Sequence, residues 1–496
     1  METKCLQLDD DNMNDHNVYP INLRISRQVP ASRGDMSDAN SEEIVKTKYL
    51  LGADGGHSWT RQQVGLEIAG NKTKVHFGVM DIIPVTDFPD IRISCSIHSA
   101  KMGNMMTFPR ENRLVRFYVQ LAETGSERDD FDTDKVTIEM IAEKAATILS
   151  PWSLKYEHCD WWSVYTVGQQ CAPKFDKDNR VFLAGDAVHT HSPTMGAGMN
   201  VSIQDTYNLM WKLGQVIKGT AQPHILSTYN NERQSVATRL IELDQEMCKF
   251  YEKGTGSDAR HYNEFYGRFR TFLSGVGVEY GPNVLIPCTH KESSTSEPRN
   301  SFDRTSLAGR IIVGQRLPSY LVLNHAEANI VHVYSILQSD GRWRLLVLPG
   351  DIGEPTQLTR LQDFCKHLEN ASTFLRAYTP EDKHLDSVIE ILTIHAASRS
   401  KLELSDLPKI LCPFDPKLGY DYWKCFVNNN DGEEGAFDDA YERWGLDKKR
   451  GCLVVVRPDQ HVSLVCDVED VDQLEKYFGQ IFVPQSRMRE SERASP

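Results

Sequence analysis

Nowhere does the sequence run to the 18 or so consecutive apolar residues that a membrane-crossing helix needs. Its opening, METKCLQLDDDNMND, is acidic and lacks the apolar stretch of a secretory signal. No C-x-x-C pair occurs among 11 cysteines, an odd number scattered from Cys5 to Cys466. That sets aside a disulfide framework and dithiol exchange, and leaves buried thiols in a reducing compartment. Positive charge is also short. A formal charge of −14 repels nucleic acid and anionic lipid, so neither is expected as a partner. The C-terminus, ERASP, carries no peroxisomal S-K-L address, and the expected location is the cytoplasm. Finally, no G-x-G-x-x-G fingerprint opens a strand–turn–helix unit.

What remains is ordinary for a globular chain: 40% hydrophobic and 25% charged residues over 496 positions, a length for about three domains at roughly 150 residues each. The first 45 residues are polar, a frayed start followed by a remnant hairpin of Val18–Ser26 and Ile44–Leu51. Val75–Pro84, Ile91–His98, Asn104–Pro109 and Leu114–Gln120 alternate at period two, which predicts an antiparallel sheet over 71–159, with a helix at Glu139–Leu149. Trp162–Gly168 and the continuously apolar Val181–Ala184 read as strands, and Met199–Lys218 and Ser227–Tyr251 as helices. Residues 46–70 and 160–252 would make a partial nucleotide-binding domain. Residues 253–308, rich in Gly, Ser, Thr and Pro, read as an irregular crossover.

Beyond residue 309 the pattern becomes strands in pairs with helices between them, an α/β unit over 309–484 before a disordered tail at 485–496. Its strands are Val331–Leu337 and Trp343–Leu348, meeting at Ser339-Asp340-Gly341, then Val388–Ile394, and a hairpin of Leu453–Arg457 and Val462–Val465. Helices are predicted at Leu358–Asn370, Asp438–Trp444 and Val471–Phe478.

Two segments carry chemistry. In YLLGADGGHSWTR, strand Tyr49–Ala53 delivers Asp54 to a turn that Gly55 and Gly56 allow. Ser58 is placed to cap helix His57–Val64. A carboxylate there accepts hydrogen bonds from a ribose or braces the loop. In RVFLAGDAVHTHSPTMGAGMN, Asp186 follows a buried strand, where a carboxylate suits a sugar hydroxyl. Gly196-Ala197-Gly198 then opens a helix whose N–H groups favour an electron-rich ring edge. GAGMNV is not a dinucleotide fingerprint, because Val201 stands where a third glycine belongs. His189 and His191 lack a third ligand at a sensible spacing, so no metal site is expected. Arg110 and Tyr118 flank RENRLV on successive strands.

With these residues the chain resembles the phenol hydroxylase branch of the class A flavoprotein aromatic monooxygenases. The likeness runs from about Val18 to Val483 and rests on ADGGHSWTR, FPDIR, PREN-x-LVRFYVQL, RVFLAGDAVHTHSP, GMN with QDTYNL-x-WKLG, and LVVVRPD. It implies an α/β fold: an FAD/NAD(P)-binding three-layer domain, an antiparallel substrate sheet and a C-terminal thioredoxin-like domain suited to homodimerisation. It implies FAD and NADPH as cofactors, and hydroxylation of a phenolic or aromatic substrate by O2 through a C4a-hydroperoxyflavin. By the same resemblance, Asp186 holds FAD hydroxyls. Gly196, Ala197, Gly198, Met199 and Asn200 contact the isoalloxazine, and Pro193 lies beside the oxygen chemistry. Asp54 belongs to a shared FAD and NADPH motif, Tyr118 reaches flavin and substrate, and Arg110 favours electron-rich species near the ring. Relatives open with a G-x-G-x-x-G unit, and the loop after HTHSP reads Thr194-Met195 here. Without that unit flavin retention is expected to weaken, and the alternative reading is a catalytically inactive, dimerising homologue.

Overall fold

In a computed structural model, the chain is described at all residues except 1, 28–40, 100–101, 122–131, 194–195, 253–258, 288–306, 371, 429–438 and 486–496. The Thr194-Met195 loop, residues 253–258 and 288–306 of the 253–308 crossover, and nearly all of the predicted tail lie outside the described residues. Two compact units form, each from two stretches of chain. Unit 1 is Met1–Asp205 with Arg233–Ser274, and unit 2 is Thr206–Glu232 with Gly275–Pro496.

Period-two alternation dominates unit 1. Strands β1 (Glu2–Leu8), β2 (Ile21–Arg27) and β3 (Ser41–Thr47) form an antiparallel meander. A short strand β4 (Leu50–Gly52) leads to helix α1 (Trp59–Gln63). Strands β5 (Ala69–Thr86), β6 (Cys95–Ser99), β7 (Gly103–Pro109) and β8 (Val115–Gln120) follow, then helix α2 (Ile138–Leu149) and strand β9 (Leu154–Cys171). With β12 (His189–Thr190) at one edge, they make a six-stranded antiparallel sheet ordered β12-β9-β5-β8-β7-β6. One face buries Val115, Phe117 and Val119 against Ile141, Ala145 and Ile148 of α2. Each large aliphatic side chain so buried contributes about 1.5–3 kcal/mol. The opposite face gathers Phe77, Met106 and Val167 with Phe108, Tyr118 and Tyr165.

Strands β10 (Asp176–Lys177) and β11 (Val181–Leu183) join β4 in a separate three-stranded sheet. Val181, Phe182 and Leu183 are fully buried, as an apolar run with parallel pairing requires. β4 and β11 run parallel with Leu50↔Val181, Leu51↔Phe182 and Gly52↔Leu183 in register. Both chemistry-bearing segments therefore leave the same end of this sheet. Helix α3 (Gly198–Ile217) starts after the second, and α4 (Thr228–Glu252) and α5 (Ala259–Leu273) follow.

Unit 2 is built on β13 (Leu321–Asn324), β14 (Ile330–His332), β15 (Trp343–Leu348), β16 (Ile389–His395), β19 (Cys425–Val427), β20 (Cys452–Val456) and β21 (Val462–Cys466). They form one sheet in the order β14-β13-β19-β16-β15-β20-β21. Between them lie α6 (Val333–Ile336), α7 (Pro355–Glu369), α8 (Phe374–Tyr378), a small hairpin of β17 (Phe414–Asp415) and β18 (Gly419–Tyr420), α9 (Ala440–Trp444) and the closing α10 (Val471–Ile481). Parallel β15 and β16 flanked by antiparallel β20 and β21, with helices α7 and α10, give the expected thioredoxin-like arrangement.

Four expectations need correction. Residues 2–8 are not frayed but form β1, paired with β2. The second hairpin strand breaks after Thr47, and its end, β4, belongs to another sheet. The supposed crossover contains α5, a 15-residue helix. Of the run at 331–337 only Val331 and His332 are strand, the end of β14, which pairs with β13, so no hairpin closes at Ser339–Gly341; Val333–Ile336 is helical.

Candidate functional site

The parallel register of β4 and β11 brings two loops side by side, and a buried arginine fastens them. Arg61, in α1, donates to Ala187 O at 2.6 Å and to Gly56 O at 3.0 Å. Ser58 caps α1 as expected, its Oγ accepting from Arg61 N at 3.0 Å. Asp54 braces the same turn. Its carboxylate accepts from Ser58 Oγ at 2.5 Å, from Thr60 N at 2.9 Å and from Thr60 Oγ1 at 3.0 Å. Burial pushes this carboxyl up, but the donors outweigh it and hold it below its ordinary value. Asp54 also lines a cleft of about 320 Å³ with Leu23, Leu50, Gly52, Ala53 and Trp59.

Asp186 is exposed just past the end of β11. The turn beneath it rests on Asp205, a fully buried residue of α3. Asp205 accepts from Gly185 N at 3.1 Å, His189 Nε2 at 2.8 Å and Arg233 Nε at 2.7 Å. Its burial favours the neutral acid, but Arg233 and His189 overcome that and hold its carboxyl low. Gly185 takes φ +61°, and a Cβ there would stand 2.9 Å from Ser202 Oγ. His189 and Thr190 then enter the six-stranded sheet as its edge strand, opposite Cys171 and Gln170. This ties the Asp186 loop to the sheet that carries Tyr118.

The next stretch hangs on a second buried acid. Asp244 accepts from Ser192 N at 2.9 Å, from Ser192 Oγ and from Gln169 Nε2 at 2.7 Å. Pro193 O accepts from Gly196 N at 2.9 Å. Just before α3, Gly196 is exposed with nothing among the described residues within 4 Å of where a Cβ would be, while Ala197 is buried. Met199 is 73% exposed and Asn200 is exposed. Gly198 leaves room for the His191 ring, whose Nε2 would lie 2.7 Å from an added Cβ. Burial holds the His191 imidazole below its usual value. His189 and His191 are thus engaged by Asp205 and by the loop's own backbone.

On the sheet, Tyr118 packs edge-on against Phe108 at 5.7 Å within the apolar face opposite α2. Its neighbour two residues earlier, Arg116, donates from Nε and NH2 to Asp81, each at 2.7 Å. Arg110 is committed to the same carboxylate and to Glu111 Oε1, the latter at 2.5 Å. Arg110 is therefore anchored in an ion-pair cluster. A larger cavity, about 920 Å³, lies in unit 2, lined by residues such as Lys383, Phe414 and Tyr420, and holds none of the expected site residues.

Arg61, Asp205, Arg233 and Asp244 were not singled out from the sequence. Asp205 left a signal: it shares a helical stripe with buried Val201, Leu209 and Leu213, where a charge demands a partner.

A family model described as an FAD binding domain matches residues 27–244, and one described as the phenol hydroxylase C-terminal dimerisation domain matches 278–486. The chain is 37% identical over 455 residues to phenol 2-monooxygenase fsqG of Aspergillus fumigatus, covering 90% of this chain and 73% of that protein. It is 34% identical over 482 residues to 3-hydroxybenzoate 4-monooxygenase of Comamonas testosteroni, covering 93% and 71%. Its fold matches OxyS anhydrotetracycline hydroxylase of Streptomyces rimosus with a TM-score of 0.59 at 19% identity, covering 97% of this chain and 75% of that one. Among the described residues no helix is long and apolar enough to cross a membrane. Two family models in sequence, relatives matched over most of both chains, and a matching fold make this chain a member of the phenol-hydroxylase-like, FAD-dependent aromatic monooxygenases.

Proposed function

We propose that the chain hydroxylates a phenolic or aromatic substrate with FAD, O2 and NAD(P)H, one oxygen atom entering the ring and the other leaving as water. The observation that carries this reading is the joining of the Asp186 loop, the open start of α3 and the Tyr118 sheet through Asp205, Asp244 and β12.

The residues fit a flat, hydroxyl-bearing cofactor. Asp186 offers an exposed carboxylate to ribityl or ribose hydroxyls. Gly196 presents bare backbone, and the first N–H groups of a 20-residue helix offer partial positive charge to a polar ring edge. Ala197, Gly198, Met199 and Asn200 would line that ring and Pro193 would bound it. When bound, the flavin supplies hydride acceptance from NAD(P)H and the activation of oxygen. The chain's own part is positional. Phe108 and Tyr165, with Phe77 behind them, would orient the aromatic substrate and keep water from it. The Tyr118 hydroxyl would hold the substrate oxygen. Arg110, paired with Asp81, would act by fixing the end of β7 and its positive field, and Asp54 by holding the turn beside the nucleotide. In the C-terminal unit, a surface for pairing two copies is the expected role.

The test is a visible spectrum. The chain purified with added FAD should be yellow, and it should oxidise NADPH faster when a phenol is present. Asp186→Ala should weaken FAD retention at least about tenfold, a loss near 1.4 kcal/mol. Tyr118→Phe should leave the colour and lower hydroxylation. A chain that stays colourless in excess FAD overturns the proposal.

A further inference from the structure

We propose that His325, His395 and Cys425 form a binding site in unit 2 for a zinc-class divalent cation. The site is independent of the flavin reading. The three side chains come from adjacent strands in the order β13-β19-β16. His325 immediately follows β13, Cys425 opens β19, and His395 ends β16. Register puts them on one face. Cys425 pairs with Thr393, two residues before His395, and the His325 amide donates to Cys425 O at 3.1 Å. All three are buried, and their ligating atoms lie within 4.8 Å of one another.

The donor set suits the ion. Imidazole nitrogen and thiolate sulfur are the ligands that zinc selects, at about 2.0–2.1 and 2.3 Å. His325 Nδ1 and His395 Nε2 face each other at 2.9 Å. A tetrahedral centre needs them roughly 3.3 Å apart, so a small opening of the pair admits it. His325 Nε2 lies 3.0 Å from Leu402 O. Donation to that carbonyl fixes the tautomer and turns the bare Nδ1 inward, as the outer nitrogen of a metal-bound histidine does.

One further atom points to a missing occupant. Thr393 Oγ1 is buried and makes no hydrogen bond among the described residues. Buried polar atoms without partners are uncommon and mark places where an ion or water belongs. A cation held by the three ligands would take water as its fourth ligand, and Thr393 Oγ1, on the same face, would accept from that water. On binding, the Cys425 S–H bond breaks, its proton leaves to solvent, and a metal–sulfur bond forms with no change of oxidation state.

The full chain is stripped with a chelator, loaded with zinc and washed free of excess. We expect one tightly held zinc per chain by elemental analysis. Cobalt(II) in its place should give tetrahedral ligand-field bands and a thiolate-to-cobalt charge-transfer band, read as a difference against the same chain without cobalt. Cys425→Ser should lose that band and bind zinc at least about tenfold more weakly. Cys452→Ser, which alters another buried cysteine of the same sheet, should keep both. Zinc should also raise the melting temperature of the unaltered chain, since it binds the folded form alone. If Cys425→Ser does not fold, the cobalt spectrum of the unaltered chain decides. Substoichiometric zinc, or bound cobalt without the charge-transfer band, overturns the proposal.

Discussion

Two acids show how burial sorts the roles of similar residues. Asp54 and Asp186 both follow a short strand and read alike in sequence, yet Asp54 spends its carboxylate on Ser58 and Thr60 while Asp186 stands exposed. Asp205 and Glu232 are fully buried and each meets cations. Glu232 accepts from Lys212 Nζ at 2.7 Å and from Arg457 at 2.6 and 2.9 Å. Burial pushes its carboxyl up, but Arg457 and Lys212 overcome that and hold it at about 2, against an ordinary 4.5. The folded value lies below the unfolded one, so this stabilisation is present above about pH 4.5 and disappears as pH falls through about 2. Acid titration followed by circular dichroism should therefore show stability falling across that window. Glu232→Gln should be less stable at neutral pH, with Lys212 and Arg457 left underpaired, and should flatten the slope.

At the level of elements, the decisive one is the β4–β11 pair, because its parallel register sets the two loops together. Arg61 secures that arrangement through two backbone carbonyls. Arg61→Ala leaves both without a donor and should cost about 2–3 kcal/mol of stability, measured by urea unfolding. It should also weaken FAD retention, measured by fluorescence titration. Strands and helices around the two motifs were legible because apolar period, glycine and a capping hydroxyl agreed there. Elsewhere local signals conflicted. The polar composition of the opening residues hid β1, and α5 follows glycine- and serine-rich sequence that masks its own strong amphipathicity. The run at 331–337 is apolar throughout, and such a run does not distinguish strand from helix. His325 and His395 lie 70 residues apart, so only strand order could reveal their meeting.

Across the whole molecule, the boundaries between units do not follow the order of the chain. Thr206–Glu232 belongs with Gly275–Pro496. Glu232 pairs with both Lys212 and Arg457, and the Trp211 indole donates to Asp459 Oδ2 at 3.1 Å. A fragment covering 275–485 alone would keep Arg457 and Asp459 without these partners. It should melt lower and aggregate more than the same fragment supplied with a 206–232 peptide, as thermal unfolding and light scattering would show. Equal melting with and without the peptide would count against the division.

That interleaving also bears on how the protein is made. Residues 206–232 leave the ribosome well before Arg457 and Asp459, and at about 5–20 residues per second the interval is roughly 10–45 s. For that time a lysine, a glutamate and a tryptophan destined for a dry interior stand in water, wanting cover. A nascent chain of this design has good reason to recruit a chaperone.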